Sequence, residues 1–154
     1  MSTPDLIHGH FTIERIYDAA PARVFEAWAD PEVKARWFVG PAGWTQVKRE
    51  LDFRVGGVEL LHGRFSGGPD TVFTARYHEI VRDERIVYVY DMHVDKIFLS
   101  VSLASVVIRS HEPGSRMIFT EQAVFLDGKD GSASRQRGTA AHFDRLAEQF
   151  RAGR

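Results

Sequence analysis

Apolar and polar positions change period along this chain, and the changes mark out a strand, a helical segment, a long β region and a final helix. Residues 11–17 alternate, with Phe11, Ile13 and Tyr17 on one side. Asp18-Ala19-Ala20 leads into Pro21, a favoured first helical residue, and Val24, Phe25 and Trp28 then share one helical face. Asp30-Pro31 offers an N-cap and a first residue for a second short helix ending near Trp37. From Thr45 a period of two takes over, with Val47, Leu51 and Phe53 opposite Lys48, Glu50 and Asp52. Gly56-Gly57 reads as a turn, and residues 58–65 as a strand on which Val58, Leu60 and His62 share a side. Gly67-Gly68-Pro69-Asp70 is a loop signal, followed by strands at 72–81, 86–93, 98–110 and 117–126. Ser132 or Ser134 is positioned to cap a last helix whose Ala140, Phe143, Leu146, Ala147 and Phe150 form an apolar stripe.

The order is strand, two short helices, six strands, long helix. Consecutive strands joined by short turns predict an α+β domain: a curved antiparallel sheet of about seven strands, with its helices on one face. A long amphipathic helix lying in such a sheet cannot fill the space that the sheet encloses. With two short helices plugging one end, a cavity is expected between them.

Composition narrows the classes. A chain of 154 residues suits one domain spanning 1–154, and 44% hydrophobic with 27% charged residues is ordinary for a globular protein. A formal charge of −1 gives no overall field favouring nucleic acid or an anionic membrane, so neither is an expected partner. Without cysteine there is no disulfide, thiolate metal site or cysteine nucleophile. The N-terminal residues lack the pattern of a signal peptide and no apolar run approaches the roughly 20 residues of a bilayer span, so the expected location is cytoplasmic.

The chain resembles the SRPBCC, or START-like helix-grip, superfamily, and within it the branch of the C-terminal domain of the activator of the heat-shock-protein ATPase. The resemblance runs from about Phe11 to Phe150. It is carried by Ala20-Pro21 with Val24-Phe25-Glu26-Ala27-Trp28, by Asp30-Pro31, Arg36-Trp37-Phe38 and Gly40-Pro41, and by Asp52-Phe53-Arg54-Val55-Gly56-Gly57. It continues through Tyr77-His78-Glu79-Ile80-Val81, Tyr90-Asp91-Met92, Thr120-Glu121-Gln122, Phe125-Leu126-Asp127-Gly128 and Gly138. Val58 and Arg137 depart from the pattern, standing where relatives often carry arginine and an acidic residue. The resemblance implies a helix-grip fold with a hydrophobic cavity, an enzyme only in some branches, and in this branch a co-chaperone-like interaction module.

The candidate chemistry centres on that cavity. Three tryptophans fall between residues 28 and 44; Trp37, Phe38 and Trp44 are expected at the cavity mouth, with Trp28 facing the body of the domain. Glu121 shares strand parity with Met117, Phe119, Ala123 and Phe125, so it is either a desolvated carboxylate suited to acid–base catalysis or the partner of an arginine. Tyr90, Tyr77 and His62 are candidates to orient a ligand, with Phe119 in the apolar wall. Gly138, inside a helix where glycine is unfavourable, is read as permitting close approach of a sheet or ligand. Arg135, Arg137 and Arg145 read as a solvated helix face. Asp91, His93 and Asp95, or His8 and His10, do not make a convergent metal set, and no cofactor motif is present.

The leading expectation is therefore an internal site for an apolar or aromatic, or amphipathic, small molecule. A cyclase- or hydrolase-like enzyme using Glu121 and a protein-interaction module are the alternatives. A homodimer through an exposed strand or the aromatic segment is compatible with the same pattern.

Overall fold

The computed structural model describes residues 2–152. Strand β1 (Ile7–Tyr17) is followed by helices α1 (Pro21–Ala29) and α2 (Pro31–Trp37). Six strands come next: β2 (Trp44–Leu51), β3 (Val58–Phe65), β4 (Asp70–Val81), β5 (Arg85–Val94), β6 (Ile97–His111) and β7 (Gly114–Phe125). Helix α3 (Ser132–Ala152) closes the chain. The strands form one antiparallel sheet in the order β1-β7-β6-β5-β4-β3-β2, so β2 to β7 are a continuous meander and β1 adds to its far side. This is the predicted helix-grip architecture.

Local chemistry explains the elements. Asp30 Oδ1 accepts the backbone N–H groups of Glu32 at 2.9 Å and Val33 at 3.4 Å, which satisfies the first donors of α2 as its sequence predicts. The last helix starts differently from expectation. Asp130 Oδ1, not a serine hydroxyl, accepts the Ser132 N–H at 3.0 Å, and the carbonyl of Gly131 receives the first helical bond from Arg135. The His8-Gly9-His10 stretch is part of β1, paired with Val124, Ala123 and Gln122 of β7.

The core lies on the inner face of the sheet under α3. Phe11 and Ile13 of β1, Ala104 and Val106 of β6, and Met117 and Phe119 of β7 meet Phe143 and Leu146 of α3 there. Tyr17 Oη donates to the Phe143 carbonyl at 3.1 Å and so ties β1 to α3. Strand parity matches the sequence reading on β1 and β7. It is reversed on β3, where Glu59, Leu61 and Gly63 are buried while Val58 is exposed. On β2 an irregularity between Gln46 and Lys48 leaves Val47 exposed and turns Arg49 and Leu51 partly inward.

Candidate functional site

Between the sheet, α2 and α3 lies a cavity of about 610 Å³. Its wall is mostly aromatic and aliphatic, with Trp28, Trp37, Phe38, Trp44, Phe73, Tyr88, Phe119 and Phe143 among the lining residues. Helix α2 and the segment after it supply one side of it, because Trp37 sits at the helix end and Phe38 to Pro41 and Trp44 follow in order. Trp37 is nearly inaccessible; its Nε1 donates to the Ala27 carbonyl at 2.9 Å and its ring meets Trp28 edge-on at 4.9 Å. Phe38 packs edge-on against Phe73 at 5.0 Å and against the imidazole of His142 at 5.1 Å.

Trp44 is seated by two glycines. A side-chain carbon at Gly40 would fall 2.2 Å from Trp44 Cγ, and one at Gly63 would fall 1.9 Å from Trp44 Nε1. The indole therefore lies flat against bare backbone, and Nε1 donates to Thr71 Oγ1 at 3.3 Å.

One polar cluster in the wall is built on Glu121. The carboxylate is 1% exposed, and its Oε2 accepts from Tyr90 Oη at 2.7 Å, Ser102 Oγ at 2.8 Å and Arg135 Nη1 at 3.1 Å. Arg135 also donates to Tyr90 Oη at 2.9 Å and to Ser100 Oγ at 2.8 Å, while its guanidinium lies over the Phe125 and Tyr90 rings. Register explains the convergence: Tyr90 pairs with Ser102 across β5 and β6, and Ser102 with Ala123, two residues from Glu121 on β7. Burial, then the Glu121 charge, raises the Tyr90 phenol above its ordinary pKa, so it remains a donor. Arg135, read from the sequence as solvated, is thus a half-buried partner of Glu121; Arg145 is also half-buried, with Nη1 3.5 Å from the Trp37 carbonyl. Arg137 is exposed as expected.

A second cluster was not legible as a site. Lys34 of α2 is 2% exposed; its Nζ donates to Glu59 Oε1 at 2.6 Å and to Tyr77 Oη at 3.1 Å. Tyr77 donates to the same Glu59 oxygen at 2.6 Å. Burial lowers the Lys34 ammonium below its ordinary pKa, against the Glu59 carboxylate, which raises it. Lys34 lines the cavity, whereas Tyr77, expected to face a ligand, stands behind it. The signal available in the sequence was spacing: Lys34 and Trp37 lie three residues apart on the helical face that Asp30 starts, yet a helical lysine ordinarily turns to solvent.

The remaining expected residues separate. Phe119, Tyr90 and Glu121 line the cavity together with Trp37, Phe38 and Trp44. His62 does not: the reversed parity of β3 puts it on the outer face, where Nε2 lies 2.9 Å from Asp70 Oδ2. Gly138 lines the cavity with open space where a side chain would be, so no neighbouring element requires a glycine there. Among the described residues no group of three or more histidines and carboxylates could hold a metal ion, and no helix is long and apolar enough to cross a membrane. His93 instead stacks on Phe98 at 4.6 Å, and Asp95 accepts the Asp70 N–H.

Comparison with known proteins places this architecture. An uncharacterized protein from Rhizobium leguminosarum is 36% identical over 96% of this chain and 97% of its own, with a TM-score of 0.91. A protein from Rhizobium loti is 39% identical over 94% and 98%, with a TM-score of 0.87. The AHSA1 protein of Silicibacter pomeroyi, 18% identical over 95% of this chain and 100% of its own, shares the fold with a TM-score of 0.78. Among curated proteins none matches. Residues 18–151 match the family described as Activator of Hsp90 ATPase homolog 1-like protein, and the chain belongs to that family, in the helix-grip superfamily.

Proposed function

We propose that this protein holds one apolar or amphipathic small molecule, without net charge, in the cavity between α2, α3 and the sheet. The observation that carries this reading is the combination of about 610 Å³ of aromatic-walled space with ion pairs that neutralise themselves. Lys34 is matched by Glu59 and Arg135 by Glu121, so neither cluster supplies an uncompensated charge for an ionic ligand. The drive is burial of apolar surface: about 200 Å² of ligand area corresponds to roughly 5 kcal/mol before the entropic cost of binding. Orientation comes from Glu121, whose Oε2 is fully occupied by donors and whose Oε1 receives no hydrogen bond from the described residues. A hydroxyl on the ligand suits that free acceptor.

The test is native mass spectrometry of gently purified protein, followed by denaturing extraction of whatever is released, with a tryptophan-fluorescence titration by a neutral naphthol alongside. A stoichiometric neutral organic molecule, or saturable quenching by the naphthol that Phe38→Ala weakens, supports the reading. A bare mass together with no saturable binding overturns it and favours the interaction-module alternative.

A further inference from the structure

Ligand binding by burial makes no use of the buried amine in the cavity wall. Lys34 is held by α2 in an arrangement that a merely structural tie does not need. A methionine or leucine on the same face would pack α2 against the aromatic cluster without desolvating an ammonium. Instead the amine sits in a ring of π-faces, with the Phe38 and Trp28 centroids at 5.0 and 5.1 Å and Tyr77 and Trp37 at 5.8 and 6.0 Å. Among the described residues its hydrogen-bond partners are a carboxylate oxygen and a phenol that themselves share a hydrogen bond. An amine desolvated by aromatic neighbours, next to a proton acceptor and inside a ligand-sized cavity, has the parts of a covalent carbonyl trap.

We propose that Lys34 captures the carbonyl carbon of an aldehyde or ketone ligand as an imine. This rests on the cavity-binding reading and names the ligand class and the chemistry of its site. In the first step the Nζ proton passes to Glu59 Oε1, and the freed lone pair forms the N–C bond while the carbonyl π pair moves to oxygen. That oxygen takes the second Nζ proton, relayed through the Tyr77 hydroxyl, to give a neutral carbinolamine. Glu59 then returns its proton to the hydroxyl, the C–O bond breaks, water leaves, and the nitrogen lone pair closes the C=N bond. The sum is ammonium plus carbonyl compound giving protonated imine plus water, with no oxidant or reductant.

Charge is conserved at the buried nitrogen. The iminium replaces the ammonium beside the same Glu59 carboxylate, so capture never leaves an unpaired ion in the apolar wall. The lowered proton affinity of buried Lys34 favours the first step. Lys48 and Lys96 lie away from the cavity and serve as external controls, whereas Lys129 lines the same cavity outside this ring of aromatic groups and serves as the internal one.

The experiment uses the full chain with 2-naphthaldehyde and sodium cyanoborohydride at neutral pH, read by intact mass and peptide mapping. In parallel, 2-naphthalenemethanol, which cannot form an imine, is titrated by tryptophan fluorescence. The expected result is a single naphthylmethyl group on Lys34, formed about tenfold or more faster than on any other lysine and slowed by a similar factor in Glu59→Gln. Tyr77→Phe, which keeps the ring packing, is expected to slow trapping with little change in alcohol binding. Modification spread over Lys48 and Lys96, or directed to the cavity-lining Lys129, with Lys34 spared while the alcohol still binds, overturns the imine at Lys34 and leaves the cavity reading standing. If neither compound binds, both readings fall.

Discussion

At the scale of single residues, the structure turns on groups whose neighbours decide their chemistry. Glu121 was read from alternation as a carboxylate on an apolar face, and it is one; what it does there depends on Arg135, fourteen positions away in sequence. Removing the arginine alone strands a buried carboxylate. Arg135→Ala should therefore cost about 3–5 kcal/mol in urea unfolding, whereas Arg135→Met combined with Glu121→Leu should cost much less. Equal losses in the single and double variants would mean that the pair is not coupled. Gly63 offers a second test, since any side chain there meets the Trp44 indole. Gly63→Ala should lower stability by roughly 1–3 kcal/mol and shift tryptophan fluorescence as the ring is displaced. An unshifted spectrum would show that the indole is seated elsewhere.

At the scale of elements, α2 and α3 carry the cavity between them, and their ends and irregularities are where sequence and structure can be compared most closely. The Asp30 cap was legible because an Asp-Pro pair satisfies two requirements of a helix start at once. Asp30→Ala should cost about 1 kcal/mol in thermal or urea unfolding, and it should weaken naphthol binding because Lys34 and Trp37 ride on that helix. In α3, Gly138 has open space where its side chain would be. Gly138→Ala should raise stability by up to about 1 kcal/mol, at the price of a methyl group projecting into the cavity. A loss of stability instead would mean that the glycine serves the backbone. The strands show where alternation fails as a guide. On β3 both parities hold apolar residues, and the buried one contains Glu59, which only its lysine and tyrosine partners make tolerable there.

At the scale of the whole molecule, the cavity imposes a pH dependence through His142. Burial first, then repulsion from Arg145, Lys34 and Arg49, pushes this imidazole down to about 4, against a hydrogen bond with the Val39 backbone that favours its proton. The unfolded chain, with an ordinary histidine near 6.5, binds that proton more readily. The stabilisation is therefore complete above about pH 6.5 and lost as pH falls toward 4, amounting to about 3 kcal/mol at most. Urea unfolding at pH 7 and pH 4.5 should show a smaller drop in His142→Gln than in the parent; parallel drops would remove His142 from the account.

The sequence by itself determined the element order, the antiparallel meander, the aromatic segment, the inward face of β7 and the family, because each is written in nearest-neighbour periodicity, caps and turn residues. Tertiary structure alone decided which apolar side of β3 faces inward, that His62 looks out to Asp70, and that Arg135 turns in to Glu121. It also decided that Lys34 is buried against Glu59, a residue twenty-five positions away on another element. The physical reason is common to all of these. A charged side chain ordinarily faces water; it is buried only where a partner of opposite charge is brought to meet it, and only the folded chain brings the two together.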